Sequence, residues 1–352
     1  MIGYYVHHHG RGHLHRARVL AVQLASGPEP ETVTVLSSLG PADDEALDWV
    51  TLPYDVDPQP APQPRDPTAH GTLHWAPLGH DGLRRRMAAV SAWLEHARPR
   101  LVVSDVSQEV ALLCRLHGVP VVSVVLPGRR DDDAHLTGLR ASSALVGFWP
   151  ASAHERQLPG LPADVVDRVV PLGGLSRFAP AAGRPPVEAA TRARRVVVLG
   201  GRGGDAWSPA QVDVLRSALR LDGGGRHVTV LGPGGDWVED PWPVLAEADV
   251  VVVHGGQNAL AEVAAARVPA VVVPAERPFD EQEVTARSLD GGDWPAVMLE
   301  TLDHPDWPGL LDHVAGLDGR RWAGWCDGDA ARRFAALVTD LGREAAGLGG
   351  AA

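Results

Sequence analysis

Residues 250–286 read VVVVHGGQNALAEVAAARVPAVVVPAERPFDEQEVTA, a succession of strand, glycine turn, helix, strand and acidic loop that decides the fold. Val250 to Val253 is the continuous apolar run expected of a strand covered on both faces of a parallel sheet. The run stops at His254, and Gly255 and Gly256 allow a tight turn with no Cβ in the way. Asn258 to Ala266 then starts a helix whose free N–H groups and positive end point back at the turn, where an anion is expected. Glu262 follows Asn258 at i+4, so the two share a helical face and the carboxylate can accept from sugar hydroxyls. That combination suits a nucleotide sugar.

A chain of 352 residues exceeds a typical single core, so two domains of about 150 to 200 residues are expected. Its net charge of -12 argues against a nucleic-acid partner, whose backbone is bound mainly by cationic groups. All 32 basic residues are Arg, which excludes a P-loop lysine, a Schiff-base lysine and a lysine nucleophile. Cys114 and Cys326, the only cysteines, are too few for a disulfide scaffold or a thiolate metal centre. The opening MIGYYVHHHGRGHLHRA lacks a signal-peptide pattern, and no apolar run approaches the ~20 residues needed to span a bilayer. The expectation is a cytoplasmic protein with at most peripheral membrane contact.

The rest of the chain repeats the alternation. Ile2 to Val6, Thr32 to Leu36, Val50 to Leu52, Leu101 to Val103, Val119 to Val125 and Ala144 to Phe148 read as short strands, with helical stretches at Leu14 to Leu24, Gly82 to His96 and Gln108 to His117. Pro53 to His80 has no clean periodicity and reads as an irregular segment over the sheet edge, a place where substrate is often met. Pro- and Ala-rich residues 177–194 read as a linker. Beyond it, Arg195 to Leu199, His227 to Leu231, Val250 to Val253 and Ala270 to Val273 read as strands of a second doubly wound unit, and Ala330 to Ala346 as a final amphipathic helix. The expected organisation is therefore α/β, with two Rossmann-like domains facing a cleft: an acceptor-binding domain at 1–176, a nucleotide-sugar domain at 195–328, and a C-terminal helix at 329–352.

These residues resemble the donor-binding signature of glycosyltransferases with the two-domain B-type fold, including the UDP-glycosyltransferases. Plant members show histidine, two small residues, asparagine and a downstream glutamate at the positions of His254, Gly256, Asn258 and Glu262. Gly255 and Gln257 fall within the same pocket. Glu281-Gln282, preceded by Asp280, resembles the acidic-glutamine pair that holds donor-sugar hydroxyls, with Thr285 where the family has asparagine. The resemblance extends to the family of the bacterial N-acetylglucosaminyltransferase that completes the lipid-linked peptidoglycan precursor. It implies base contacts from Trp237 and Val238, a hinge Gly173-Gly174-Leu175-Ser176-Arg177 whose arginine clamps a phosphate, and a glycine nest 200–205 from which Arg202 and Gly203 face the diphosphate.

On the acceptor side, the same resemblance places His13 on the histidine of a glycine-rich acceptor loop that includes Gly10 and Gly12. A neutral imidazole there can take a proton from an acceptor hydroxyl as the anomeric carbon is attacked. Asp105 ends a strand at the cleft, where it can orient His13 or hold a hydroxyl, or else cap the helix starting near Val106, the commoner use of Asp at such a site. His7, His9, His13 and His15 invite a zinc reading, but no carboxylate or cysteine partner is nearby. Asp131-Asp132-Asp133 reads as a solvated turn, so no metal is expected. The implied activity is an inverting, metal-independent hexosyltransferase using a UDP-sugar as substrate, with no further cofactor, and a small-molecule or lipid-linked acceptor. The alternatives are a non-hydrolysing UDP-sugar epimerase, with Asp105 and Glu109 as its candidate carboxylates, and a non-catalytic nucleotide-sugar binder.

Overall fold

The computed structural model describes residues 1–8, 12–41, 47–56, 63–182, 193–200, 207–220, 225–232, 235–236, 238–290 and 292–349. Two sheets organise them, both parallel throughout. The first contains β1 (Ile2–Val6), β2 (Val33–Ser37), β3 (Leu47–Thr51), β4 (Leu101–Asp105), β5 (Val121–Val124), β6 (Ala144–Gly147) and β7 (Val169–Pro171), in the order β3-β2-β1-β4-β5-β6-β7. The second contains β8 (Arg195–Leu199), β9 (His227–Leu231), β10 (Val250–Val253), β11 (Ala270–Val272) and β12 (Ala296–Met298), in the order β12-β11-β10-β8-β9.

Helices cover both faces of each sheet. In the first lobe these are α1 (Gly12–Ala25), α2 (Asp81–Ala97), α3 (Gln108–Leu116), α4 (Asp133–Ala141) and the single turns α5 (His154–Gln157) and α6 (Ala163–Val166). In the second they are α7 (Pro209–Arg220), α8 (Trp242–Glu247), α9 (Gln257–Ala266), α10 (Glu281–Asp290) and α11 (Trp307–Ala315). This double cover is why β1, β4, β5 and β10 are buried at every residue and read as unbroken apolar runs. The edge strand β3 mixes exposed Asp48 and Thr51 with half-buried Trp49, and only its end is apolar enough to be read from sequence. The last helix, α12 (Ala330–Gly349), returns to the first lobe and buries Ala330, Phe334 and Val338 against Leu14, Ala17 and Leu20 of α1. The i, i+4, i+8 spacing of those three residues forms one stripe.

The lobes touch extensively. One apolar cluster runs from Trp149 and Leu158 of the first into Ala286, Leu289 and Trp325. Gln157 donates to Ser288 Oγ at 2.6 Å, and Gly174 N–H to the Trp325 carbonyl at 2.8 Å. Residues 177–182, expected as linker without an apolar face, instead pack on the second lobe: Phe178 lies against the Trp242 ring, and Ala181 N–H donates to the Ala265 carbonyl. Residues 183–192 of that segment lie outside the described residues.

Each sheet has one point where strand order reverses, between β1 and β4 and between β8 and β10. Side chains at the carboxyl ends of those strands line a crevice, the usual ligand position in open α/β sheets.

Candidate active site

At the first reversal, β1 and β4 pair with Val6 opposite Asp105. The chain leaving Val6 enters α1, whose second residue is His13, and His13 Nδ1 meets Asp105 Oδ1 at 2.9 Å. Asp105 does not cap the following helix. Ser107 does so by accepting from Val110 N–H, which corrects the helix-cap reading of Asp105. Between them Val106 has φ +76°, a left-handed conformation that a β-branched residue rarely adopts, and this bend lets the Asp105 carboxylate point across to α1.

Arg16, one turn beyond His13, completes the group. Its Nε donates to Asp105 Oδ2 at 2.9 Å and its Nη2 to Oδ1 at 3.1 Å, while Tyr4 Oη donates to Oδ2 at 3.0 Å. Burial alone would raise the Asp105 carboxyl, but Arg16 and His13 outweigh it and hold the group well below the usual carboxylate range. Arg16 Nη2 also approaches His13 Nδ1 at 3.0 Å. Guanidinium only donates and carboxylate only accepts, so His13 Nδ1 can serve one of the two at a time; in the tautomer that donates Nδ1–H to the carboxylate, Nε2 keeps its lone pair. Arg16 was not singled out from the sequence, although its i+3 spacing from His13 on a helix was visible there.

At the second reversal, β10 ends at His254 and α9 begins after Gly256. No side chain caps α9, and its first turn holds no acidic residue, so its leading amides remain available. Gly255 is required because a Cβ there would collide with the Gln282 carbonyl. His254 Nδ1 accepts from Gly256 N–H at 3.0 Å, which puts the ring proton on Nε2. That Nε2–H is buried with no partner among the described residues, as are both side-chain polar atoms of Gln257. Burial pushes the His254 imidazole down to about 4, Arg277 adds to the effect and the nearby Gln282 side chain opposes it only in part, without reaching hydrogen-bond geometry at Nε2, so the ring is a neutral donor at pH 7. Gln282 Oε1 accepts from Ala275 N–H at 3.0 Å, bracing the acidic loop against β11.

Asn258 and Glu262 lie on the α9 face that meets α1. A Cβ on Gly12 would come within 2.7 Å of Asn258 Nδ2, so a larger residue there would have to displace that side-chain amide. Glu262 accepts from Arg177 Nε at 2.8 Å, and burial raises its carboxyl above the ordinary range with Arg177 only partly offsetting that. Arg177, implied as a phosphate clamp, is thus placed on the carboxylate implied for ribose. The cavity between His15, Arg16, Leu175, Arg177, Asn258 and Glu262 measures about 10 Å³, room for one water. Val238 packs partly buried beside α9, and Gly10, Arg202, Gly203 and Trp237 lie outside the described residues.

The acidic loop also docks on the first lobe. Arg129 N–H donates to the Phe279 carbonyl at 2.8 Å, Arg129 pairs with Asp280 at 3.4 Å, and Arg130 with Glu281 at 3.7 Å. Phe279 and Asp280 both have left-handed φ, and a Cβ on Gly128 would collide with the Phe279 carbonyl. Thr285 is fully buried, with its hydroxyl donating to the Glu281 carbonyl, and faces the interlobe contact at Gln157. A wider hollow of about 360 Å³ flanks this loop between Pro274 and Arg287, and Asp280 is the one implied sugar contact that lines it.

Of the triple aspartate, Asp131 and Asp133 are exposed as expected, but Asp132 caps α4 by accepting from His135 N–H, and its carboxylate bonds the His135 ring. His74, Asp132 and His135 are the one described group with metal-ligand proximity. The donor set does not fit a cation well, because Arg130 Nη1 donates into His135 Nε2 at 3.0 Å and leaves the proton on the Nδ1 that faces His74 and Asp132. Of the four histidines of the N-terminal set, His13 is committed to Asp105, His7 stacks on His8, and His9 lies outside the described residues.

Residues 239–293 match the glycosyltransferase family 28 C-terminal domain. No curated protein matches the chain by sequence. In structure the chain is similar to MurG of Acinetobacter baumannii, with a TM-score of 0.60 and 16% identity over 96% of this chain and 99% of that one. It is similar to UGT89C1 of Arabidopsis thaliana, solved with quercetin, with a TM-score of 0.62 and 14% identity over 97% and 98%. The glycosyltransferase VinC, solved with dTDP, gives 0.59 and 16% over 98% and 99%. The chain thus has the two-lobed B-type fold of glycosyltransferases, is similar along its length to MurG and UDP-glycosyltransferases, and matches the glycosyltransferase family 28 C-terminal domain over residues 239–293 of its second lobe.

Proposed function

We propose that the protein transfers a hexose, with inversion and without a metal, from a nucleoside-diphosphate sugar on the second lobe to an acceptor hydroxyl on the first. The observation that carries this reading is the buried His254 Nε2–H, without a hydrogen-bond partner among the described residues, beside the uncapped start of α9. A buried donor left unpaired costs about 1–3 kcal/mol, and a diphosphate oxygen would satisfy it while the helix dipole stabilises the charge. His13 Nε2 would take the proton of the acceptor hydroxyl as its oxygen attacks the anomeric carbon. The bond to the diphosphate breaks in the same step, and the negative charge that leaves is met by α9 and His254. Asp105 keeps the His13 tautomer fixed, and Arg16 and Tyr4 keep Asp105 fixed. Loop 63–80, whose His74 and Trp75 amides are held by Glu109, lies on the acceptor lobe.

The epimerase reading needs acid-base carboxylates in the first lobe. Asp105 is saturated by Arg16, Tyr4 and His13, and Glu109 by two loop amides and Ser107, which speaks against it. We assign UDP as the leaving nucleotide on the resemblance that implies base contacts from Trp237 and Val238, and dTDP is the competitor to test. Thermal shift with UDP, dTDP and their sugars should show a raised midpoint for the UDP series. A UDP-sugar incubated alone should return unchanged, and only an added acceptor should release UDP. A flat thermal response to every nucleotide would remove the proposal.

A further inference from the structure

We infer that Trp207 is a diphosphate-binding residue, donating its indole N–H into the crevice between β8 and β10. The inference rests on the nucleotide-sugar reading for the identity of the ligand, but its grounds are separate. Trp207 is the first described residue after the one that follows β8, and His254 follows β10, the two strands between which strand order reverses. Their rings meet edge to face, with centroids 6.3 Å apart at 81°. Trp207 is 5% exposed and its Nε1–H has no partner among the described residues. Indole nitrogen is a donor only, and a buried tryptophan normally finds an acceptor for it.

Two adjacent side chains therefore carry buried donors without a partner among the described residues, and neither carries a free lone pair. His254 has spent its acceptor nitrogen on Gly256 N–H. Paired donors without an acceptor between them select an anion rather than a hydroxyl, which could both give and take. The uncapped amides of α9 add to the same preference. Trp207 supplies a shape-fixed hydrogen bond that contributes nothing to binding a nucleoside lacking phosphates.

The test uses the full chain labelled with ¹⁵N at the indole nitrogen, where 11 tryptophans give a countable set of resonances. Trp207→Phe identifies its own resonance by deletion. UDP, dTDP and inorganic pyrophosphate should each move that resonance downfield, whereas uridine and thymidine should leave it in place. By calorimetry, Trp207→Phe should bind UDP about tenfold or more weakly, bind uridine as the wild type does, and unfold at an equal or higher temperature without nucleotide, since an unpaired buried donor is gone. Equal UDP affinity in the variant, or no indole resonance of the set moving with UDP or pyrophosphate, overturns the inference. Movement with pyrophosphate but no binding of any nucleotide keeps Trp207 as an anion site and overturns the nucleotide-sugar reading instead.

Discussion

Arg177 Nε donates to the Glu262 carboxylate at 2.8 Å and its Nη1 to the Glu239 carbonyl at 3.1 Å, so the hinge arginine sits on the groups that a nucleoside would need. The cavity beside it holds only about 10 Å³, so a nucleoside that used Glu262, as the proposed function has it, would have to part this pair. Ribose hydroxyls would then take Glu262 and free the guanidinium for the diphosphate. Arg177→Ala should therefore act oppositely on two ligands: uridine should bind equally or more tightly, because a competitor for Glu262 is gone, and UDP about tenfold or more weakly, because a charge-assisted bond is lost. Calorimetry on both ligands decides it. Equal weakening of both would mean that Arg177 only supports the pocket wall.

The grouping of His13, Asp105, Arg16 and Tyr4 predicts two separable effects. His13→Ala removes the proposed base and one partner of Asp105 but leaves the Arg16–Asp105 ion pair in place, so turnover should fall roughly 100-fold or more, with UDP affinity nearly unchanged and a smaller stability loss than Asp105→Asn. Asp105→Asn should lower turnover too, because the His13 tautomer is no longer fixed. It also leaves the buried Arg16 without its counter-charge, at a cost of about 3–5 kcal/mol. Denaturant melts beside single-turnover rates separate the two. An Asp105→Asn protein as stable as the wild type would contradict the ion pair.

What could be read from the sequence was local. Val250 to Val253, the glycine turn and the Asn258–Glu262 spacing are contiguous, and β10 and α9 fall within a residue of where periodicity puts them. The strands β7 and β12 are three residues each, too short for any period to show. The role of Asp105 was hidden for a different reason. Its partner His13 lies 92 residues away, and only the parallel register of β1 on β4 brings them together, so local statistics favoured a helix cap that Ser107 in fact supplies. Arg177 on Glu262, and a Trp207 N–H without a partner among the described residues, depend on burial and on how distant segments meet, which no spacing encodes.

Two buried histidines set the acid sensitivity of the fold. Burial holds both His135 and His254 at about 4, below the ~6.5 of an unfolded histidine. Between those values the unfolded chain binds more protons than the folded one, so stability rises with pH. The contribution is complete above ~6.5 and is lost as pH falls toward 4, by roughly 1 kcal/mol per histidine between pH 6.5 and 5.5. Glu262, raised by burial, acts with the opposite sign just above its unfolded value. Urea midpoints across pH 4.5 to 7.5 should show a net decline on the acid side, and His135→Asn should flatten it. An unchanged slope in that variant would place the titration elsewhere.

Closure of the lobes is readable at Gly128. Its φ of +116° is strained for any residue with a side chain, and a Cβ there would strike the Phe279 carbonyl that accepts from Arg129 N–H. Phe279 itself is held left-handed beneath the Arg130 guanidinium, 4.9 Å from its ring centroid. Gly128→Ala should therefore push the acidic loop off the first lobe while leaving both sheets intact. The expected result is a larger radius of gyration by solution scattering, UDP binding within about threefold of wild type because α9 and β10 are untouched, and turnover lowered about tenfold or more because acceptor and donor no longer meet. If scattering and turnover both match the wild type, the contact between Arg129 and Phe279 is incidental to closure.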